Sequence, residues 1–205
     1  MRVESHIMSF WKVMILITMT LMFALEGFGK GQSSDRGSLA MLQDYSQRAK
    51  QVLFIARFKT SRDGAYMVDL QHLLEAIVIE DQGGQELSKM FGFDPTAKKI
   101  QGHTFESTST PFFAADLASE LLTKIRSFYS YSPPTSTSKD MPLSDELAHA
   151  LTVAVELRQK THTDKIEPLH LLAAALGEKS SKATSIFFDA GITQETVLQA
   201  IKDGK

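Results

Sequence analysis

Histidine is the side chain best suited to proton chemistry near neutral pH, and two of the six histidines in this chain recur in one context. Residues 66–74 read YMVDLQHLL and residues 164–172 read DKIEPLHLL, which sets His72 and His170 98 residues apart (170 − 72). A histidine at a helix start could shuttle a proton or ligate a metal. Neither use finds support: no nucleophile or carboxylate partner is read beside both, and no H-x-x-x-H or H-E-x-x-H pair exists. The expectation is structural, a half-buried histidine that bonds a loop carbonyl and fixes the turn. Glu80, Asp81 and Glu86 read as a solvated helix edge rather than an acid/base pair. The chain has no cysteine, which excludes disulfides, thiolate metal sites and a cysteine nucleophile. Catalytic, cofactor and metal residues are therefore expected to be none, and the partner-binding residues are unassigned.

The elements around the histidines repeat as well. Ala49, Val52, Leu53 and Ala56 correspond to Leu147, Ala150, Leu151 and Ala154 at the same offset. Both sets follow the i, i+3, i+4, i+7 spacing of one buried helix face. Ser46 is a plausible N-cap of a helix running through Thr60. Arg62-Asp63-Gly64 breaks it, and Asp69 caps a second helix through Val78. A third helix (QELSKMF) ends at Gly92, and Asp94-Pro95 starts a short fourth. In the second copy, Pro142-Leu143-Ser144 opens the first helix and Glu167-Pro168 the second. Ile186, Phe187 and Phe188 lie in the third, which ends at Gly191, and Thr193 caps the last. Repetition of this kind reflects one supersecondary unit stacked on its copy.

The fold class expected is all-α: two pseudo-symmetric four-helix repeats over residues 45–100 and 142–203, with residues 31–44 a flexible lead and the start of the first helix. Residues 101–141 lie between. Phe113, Leu117, Leu121 and Ile125 mark one amphipathic helix there, followed by a Ser/Thr/Pro linker (SYSPPTSTSKD) that should not pack. Phe187-Phe188 reads as core, while Phe112-Phe113 stays open as a partner surface.

Apolar residues make up 43% and charged residues 22% of the 205, ordinary for a globular protein. The net charge is −2 with no basic stripe, which argues against nucleic acid as a partner. Residues 1–30 stand apart. Arg2 and Lys12 precede an apolar run from Val13 to Leu25, then a Gly/Ser-rich exit. This describes a signal peptide or an uncleaved membrane anchor, with Met8 an alternative start to Met1. Either would place the rest outside the cytoplasm.

The order of signals resembles the Clp N-terminal repeat domain, the substrate- and adaptor-binding module of Clp-type protein-unfolding ATPases. The resemblance rests on YSQRAKQVLFIARF (45–58), VDLQHLL (68–74) and KMFGFD (89–94), with counterparts LSDELAHALTVAVE (143–156), IEPLHLL (166–172) and DAGIT (189–193). It departs from the family in two ways. No G-x-x-x-x-G-K-[ST] phosphate loop occurs, so the ATPase modules are not carried over. The residue before the histidine is usually Glu in the family, where it helps some members bind phosphorylated arginine; here it is Gln71 and Leu169. The resemblance implies a non-enzymatic module that binds protein or unfolded peptide without cofactors. Exposed to the cytoplasm, the alternative location, it implies an adaptor or regulator of a Clp ATPase or protease.

Overall fold

The computed structural model describes residues 43–83, 86–87, 111–128, 132–136, 141–179 and 181–204. The expected leader or anchor in residues 1–30, the third and fourth helices of the first repeat beyond residues 86–87, and Gly92 lie outside them. The described residues form helices without a β-sheet: α1 (Gln47–Arg62), α2 (Leu70–Gln82), α3 (Ala115–Arg126), α4 (Asp145–Thr161), α5 (Pro168–Gly177), α6 (Lys182–Asp189) and α7 (Gln194–Lys202). None of these is long and apolar enough to cross a membrane.

Each boundary has a local cause. Ser46 accepts the Ala49 amide at 3.1 Å and Ser144 the Leu147 amide at 3.2 Å, so both opening helices start on a serine cap. Both end on a left-handed residue at equivalent positions, Gly64 (φ 72°) and His162 (φ 55°). The faces match in depth too. Ala49, Val52, Ala56 and their counterparts Leu147, Ala150, Ala154 are buried, while Leu53 and Leu151 are only partly covered.

The two units are locked by an exchange. Tyr45, ahead of α1, forms a parallel bridge with Ile166, ahead of α5. Leu143, ahead of α4, forms the same bridge with Val68, ahead of α2. The Ser46 amide donates to Ile166 O (3.0 Å) and the Ile166 amide to Asp44 O (2.8 Å). Their mates are Ser144 to Val68 O and Val68 to Pro142 O, both 2.9 Å. Every partner in one seam has its equivalent 98 residues along in the other, with the units' roles reversed. This is a local two-fold axis written in backbone hydrogen bonds. The helices that follow the bridges, α2 and α5, pack on each other at the centre.

α3 packs against α2, as α7 packs against α5, and also touches α6 of the other unit. Its entry is fixed by Asp81, whose carboxylate accepts the Phe112 and Phe113 amides at 2.9 and 3.0 Å. Phe113 is core rather than partner surface: it is buried edge-on against Phe187, with centroids 6.2 Å apart. Phe112 is partly covered. The Ser/Thr/Pro linker also departs from expectation. Residues 132–136 dock on the C-terminal end of α1, where Ser132 N–H donates to Asp63 O (3.2 Å) and Thr135 N–H to Ser61 O (2.8 Å). Docking here needs no apolar side chain, only two carbonyls that a helix end leaves without intrahelical donors.

Equivalent caps should contribute equally. Ser46→Ala and Ser144→Ala are each expected to lower the free energy of urea unfolding by about 1 kcal/mol; costs that differ severalfold would contradict equivalence of the two units.

Candidate functional site

Around the seams lie the two repeated histidines, and both are fully buried rather than half-buried. Each occupies the third position of its helix and bonds back to the capping residue. A carboxylate residue does recur three positions before each, Asp69 and Glu167, against the expectation that neither histidine has such a partner. The expected loop carbonyl is not the partner of Nδ1. His170 Nδ1 accepts the Glu167 amide at 3.0 Å, which leaves the proton on Nε2. That Nε2–H faces the Thr161 and Thr163 hydroxyls at 2.9 and 3.1 Å. The Thr161 hydroxyl in turn donates to Leu157 O at 2.9 Å. His170 thus ties the start of α5 to the end of α4. Burial pushes its pKa below the ordinary 6.5, and the nearby Arg158 charge lowers it further.

His72 has the same place and a different proton. Its Nδ1 lies 2.7 Å from Asp69 Oδ1 and 3.3 Å from the Asp69 amide. The shorter, charge-assisted contact governs, with Nδ1–H donating to the carboxylate. The same carboxylate group accepts the His72 amide (3.1 Å) and the Gln71 side-chain amide (3.2 Å). Gln71 is therefore engaged with its own helix cap, and Leu169, its counterpart, packs partly buried against the core. Neither position offers a carboxylate to a guanidinium ligand.

The electrostatics break the two-fold. The first unit holds an ionic network where the second is mostly apolar. Glu75, fully buried, accepts from Arg126 Nε at 2.7 Å and lies 3.4 Å from Lys59 Nζ. Lys59 also lies 3.4 Å from Asp63, and Arg126 3.8 Å from Glu86. The equivalent positions to Lys59, Asp63 and Glu75 are Leu157, Thr161 and Ala173. Burial raises the Asp63 pKa above the ordinary carboxylate value, against the lowering effect of Lys59. Nearby, Arg48 grips Glu80 through Nε (2.7 Å) and Nη2 (2.9 Å). Burial raises Glu80 as well, while its hydrogen bond raises Arg48. The expected solvated edge is thus a set of anchors: Glu80 is buried and paired, Asp81 holds the entry to α3, and Glu86 approaches Arg126. In the second unit Glu178, the equivalent of Glu80, instead meets His149 at 2.5 Å.

Among the described residues no cluster of His, Cys, Asp or Glu could hold a metal ion. Among the described residues, the large apolar side chains that stand exposed are Tyr66 and Phe128. What the geometry offers is a rigid helical body with two equivalent seams of different charge.

Residues 142–204 match the Clp repeat (R) N-terminal domain family. The N-domain of ClpV from Vibrio cholerae superposes with a TM-score of 0.52 at 18% identity, covering 80% of this chain and 86% of that one. A chain from a malarial protein secretion system gives 0.54 at 18% identity, covering 78% and 92%. A complex of the ClpV N-domain with a VipB peptide gives 0.48 at 18% identity, covering 78% and 91%. No curated protein matches the chain. The second unit is thus similar to a Clp repeat, and the described body has the fold of Clp N-domains.

The depressed pKa of His170 has a signed consequence. Its contribution is present above pH 6.5, the ordinary value, and is lost as the pH falls through the lower folded value. The stability advantage of the natural chain over His170→Gln should therefore shrink between about pH 7 and about pH 5, by at most ~1.4 kcal/mol per pH unit. An advantage independent of pH in urea titrations would contradict the assignment. For the ionic network, Arg126→Met should cost about 2 kcal/mol by leaving Glu75 buried without that donor. The second unit's residues grafted onto the first (Lys59→Leu, Asp63→Thr and Glu75→Ala together) should cost less than this single change, read by the same urea titrations.

Proposed function

We propose that this chain is a non-enzymatic binding module that holds an unfolded segment or another protein on its Clp N-domain body. The observation that supports this reading most directly is the pair of exchanged seams. They fix two units as one rigid platform, and the polar groups around them are consumed in capping and pairing. Binding on such a body rests on helix faces and a few polar anchors. Recognition of phosphorylated arginine is not part of the proposal, because Gln71 bonds Asp69 and Leu169 is apolar.

We further propose that residues 1–30 export the module or tether it to a membrane, on the strength of the apolar run Val13–Leu25. A topology reporter fused after Lys205 decides between locations. An external signal supports export or tethering. A cytoplasmic signal removes that reading and favours an adaptor or regulator of a Clp ATPase or protease.

The binding reading is tested with the purified full chain and a fluorescent, permanently unfolded polypeptide. We expect saturable binding in the micromolar range, about −8 kcal/mol, unchanged by ATP and without ATP turnover. Absence of saturable binding, or ATP hydrolysis that co-purifies quantitatively with the chain, would contradict it.

A further inference from the structure

The linker segment on α1 has more structure than a connection requires. Ser132, Pro133, Pro134 and Ser136 are exposed, and only Thr135 is partly covered. Apolar burial does not hold the segment down. It is held through main-chain groups: Ser132 N–H to Asp63 O, Thr135 N–H to Ser61 O, and the Ser61 hydroxyl to Thr135 O at 2.5 Å. The two amide donors flank two prolines, which have no N–H to satisfy. A residue before proline is confined to extended conformations, so Ser132 and Pro133 are pre-set for docking. A segment of this kind loses little entropy on binding.

The receiving side is shaped to match. Gly64 lies directly beneath the segment, and a Cβ there would sit 2.5 Å from Pro133 O and 2.7 Å from Ser132 O. Only glycine allows that approach. The equivalent residue in the second unit is His162, exposed and also left-handed, so the same shelf there carries a side chain where the first has none. Asp63, whose carbonyl takes one donor, belongs to the buried ionic network with Lys59, which fixes the floor of the shelf.

We propose that the C-terminal end of α1 is a docking shelf for extended segments of the type Ser-Pro-Pro-Thr. Residues 132–136 are its resident intramolecular occupant, displaced by an external segment of the same chemistry. The few hydrogen bonds that hold the segment, each worth about 1 kcal/mol net, run from an exposed segment to the helix end, and so small a set makes the occupant exchangeable. This narrows the binding-module reading and rests on it.

The probe is a fluorescent peptide, SYSPPTSTS, matching residues 130–138. It is titrated against the full chain and against a variant with the resident segment disabled (Ser132→Gly, Pro133→Gly, Pro134→Ser and Thr135→Gly). The variant is expected to bind at least about tenfold tighter than the natural chain, because the tethered competitor is gone. Adding Gly64→His to that variant should abolish binding, and a permuted peptide without adjacent prolines should bind at least about tenfold more weakly. Equal binding by natural chain and variant, or indifference to Gly64→His, overturns the shelf. A variant that ignores the peptide yet still binds the unfolded polypeptide overturns the shelf and leaves the module standing; failure with both probes removes both. If the four-fold variant does not fold, Gly64→His in the otherwise natural chain decides. The Ser132 and Thr135 amides should then exchange with solvent at least about tenfold faster, and unchanged exchange overturns the proposal.

Discussion

Four backbone hydrogen bonds, two at each seam, govern this molecule. Each unit contributes the strand-like lead of its first helix to the loop before the other unit's histidine helix. Through this exchange, residues Asp44 to Ser46 are positioned by the second unit, and Pro142 to Ser144 by the first. The N-caps Ser46 and Ser144 sit within these leads, so the start of each opening helix depends on the opposite unit. Buried amides and carbonyls need partners, and at these leads each unit finds its partner on the other.

Symmetry in the backbone coexists with divergence in charge. Glu80 and its equivalent Glu178 take partners from different positions, Arg48 in one unit and His149 in the other, and the Lys59–Glu75–Arg126 network has a mostly apolar counterpart. The histidines divide in the same way: one shares its proton with a carboxylate, the other presents it to two hydroxyls. A buried ion pair adds little net stability over an apolar one, so the network is better understood as fixing geometry than as strengthening the fold. It fixes the end of α1, where the linker docks. The two halves therefore offer different surfaces on one scaffold.

Much of the fold was legible because its signals are local. Ser46, Asp69, Ser144, Glu167 and Thr193 each stand at the start of the helix they were read to open. Gly64 and Gly191 lie in the left-handed region near helix ends, where turns were expected. The features that escaped are long-range. Glu75 and Arg126 are far apart in the chain and meet only once α3 lies on α2. The acids at 80, 81 and 86 looked solvated because their partners Arg48, Phe112 and Arg126 come from other elements. The docked linker was missed because main-chain hydrogen bonds leave no trace in side-chain periodicity. The carboxylate residue ahead of each histidine is legible, three residues upstream, but its bond back to the histidine exists only once the helix cap has formed.

The function proposed depends on the two units behaving as one body. Native-state hydrogen exchange at the Ser46, Ile166, Val68 and Ser144 amides tests this directly. Reciprocal seams that open only with global unfolding give four equal protection free energies, matching the global stability. If one seam's two amides exchanged well before the other's, the units would be separable and the account of a single locked platform would be wrong.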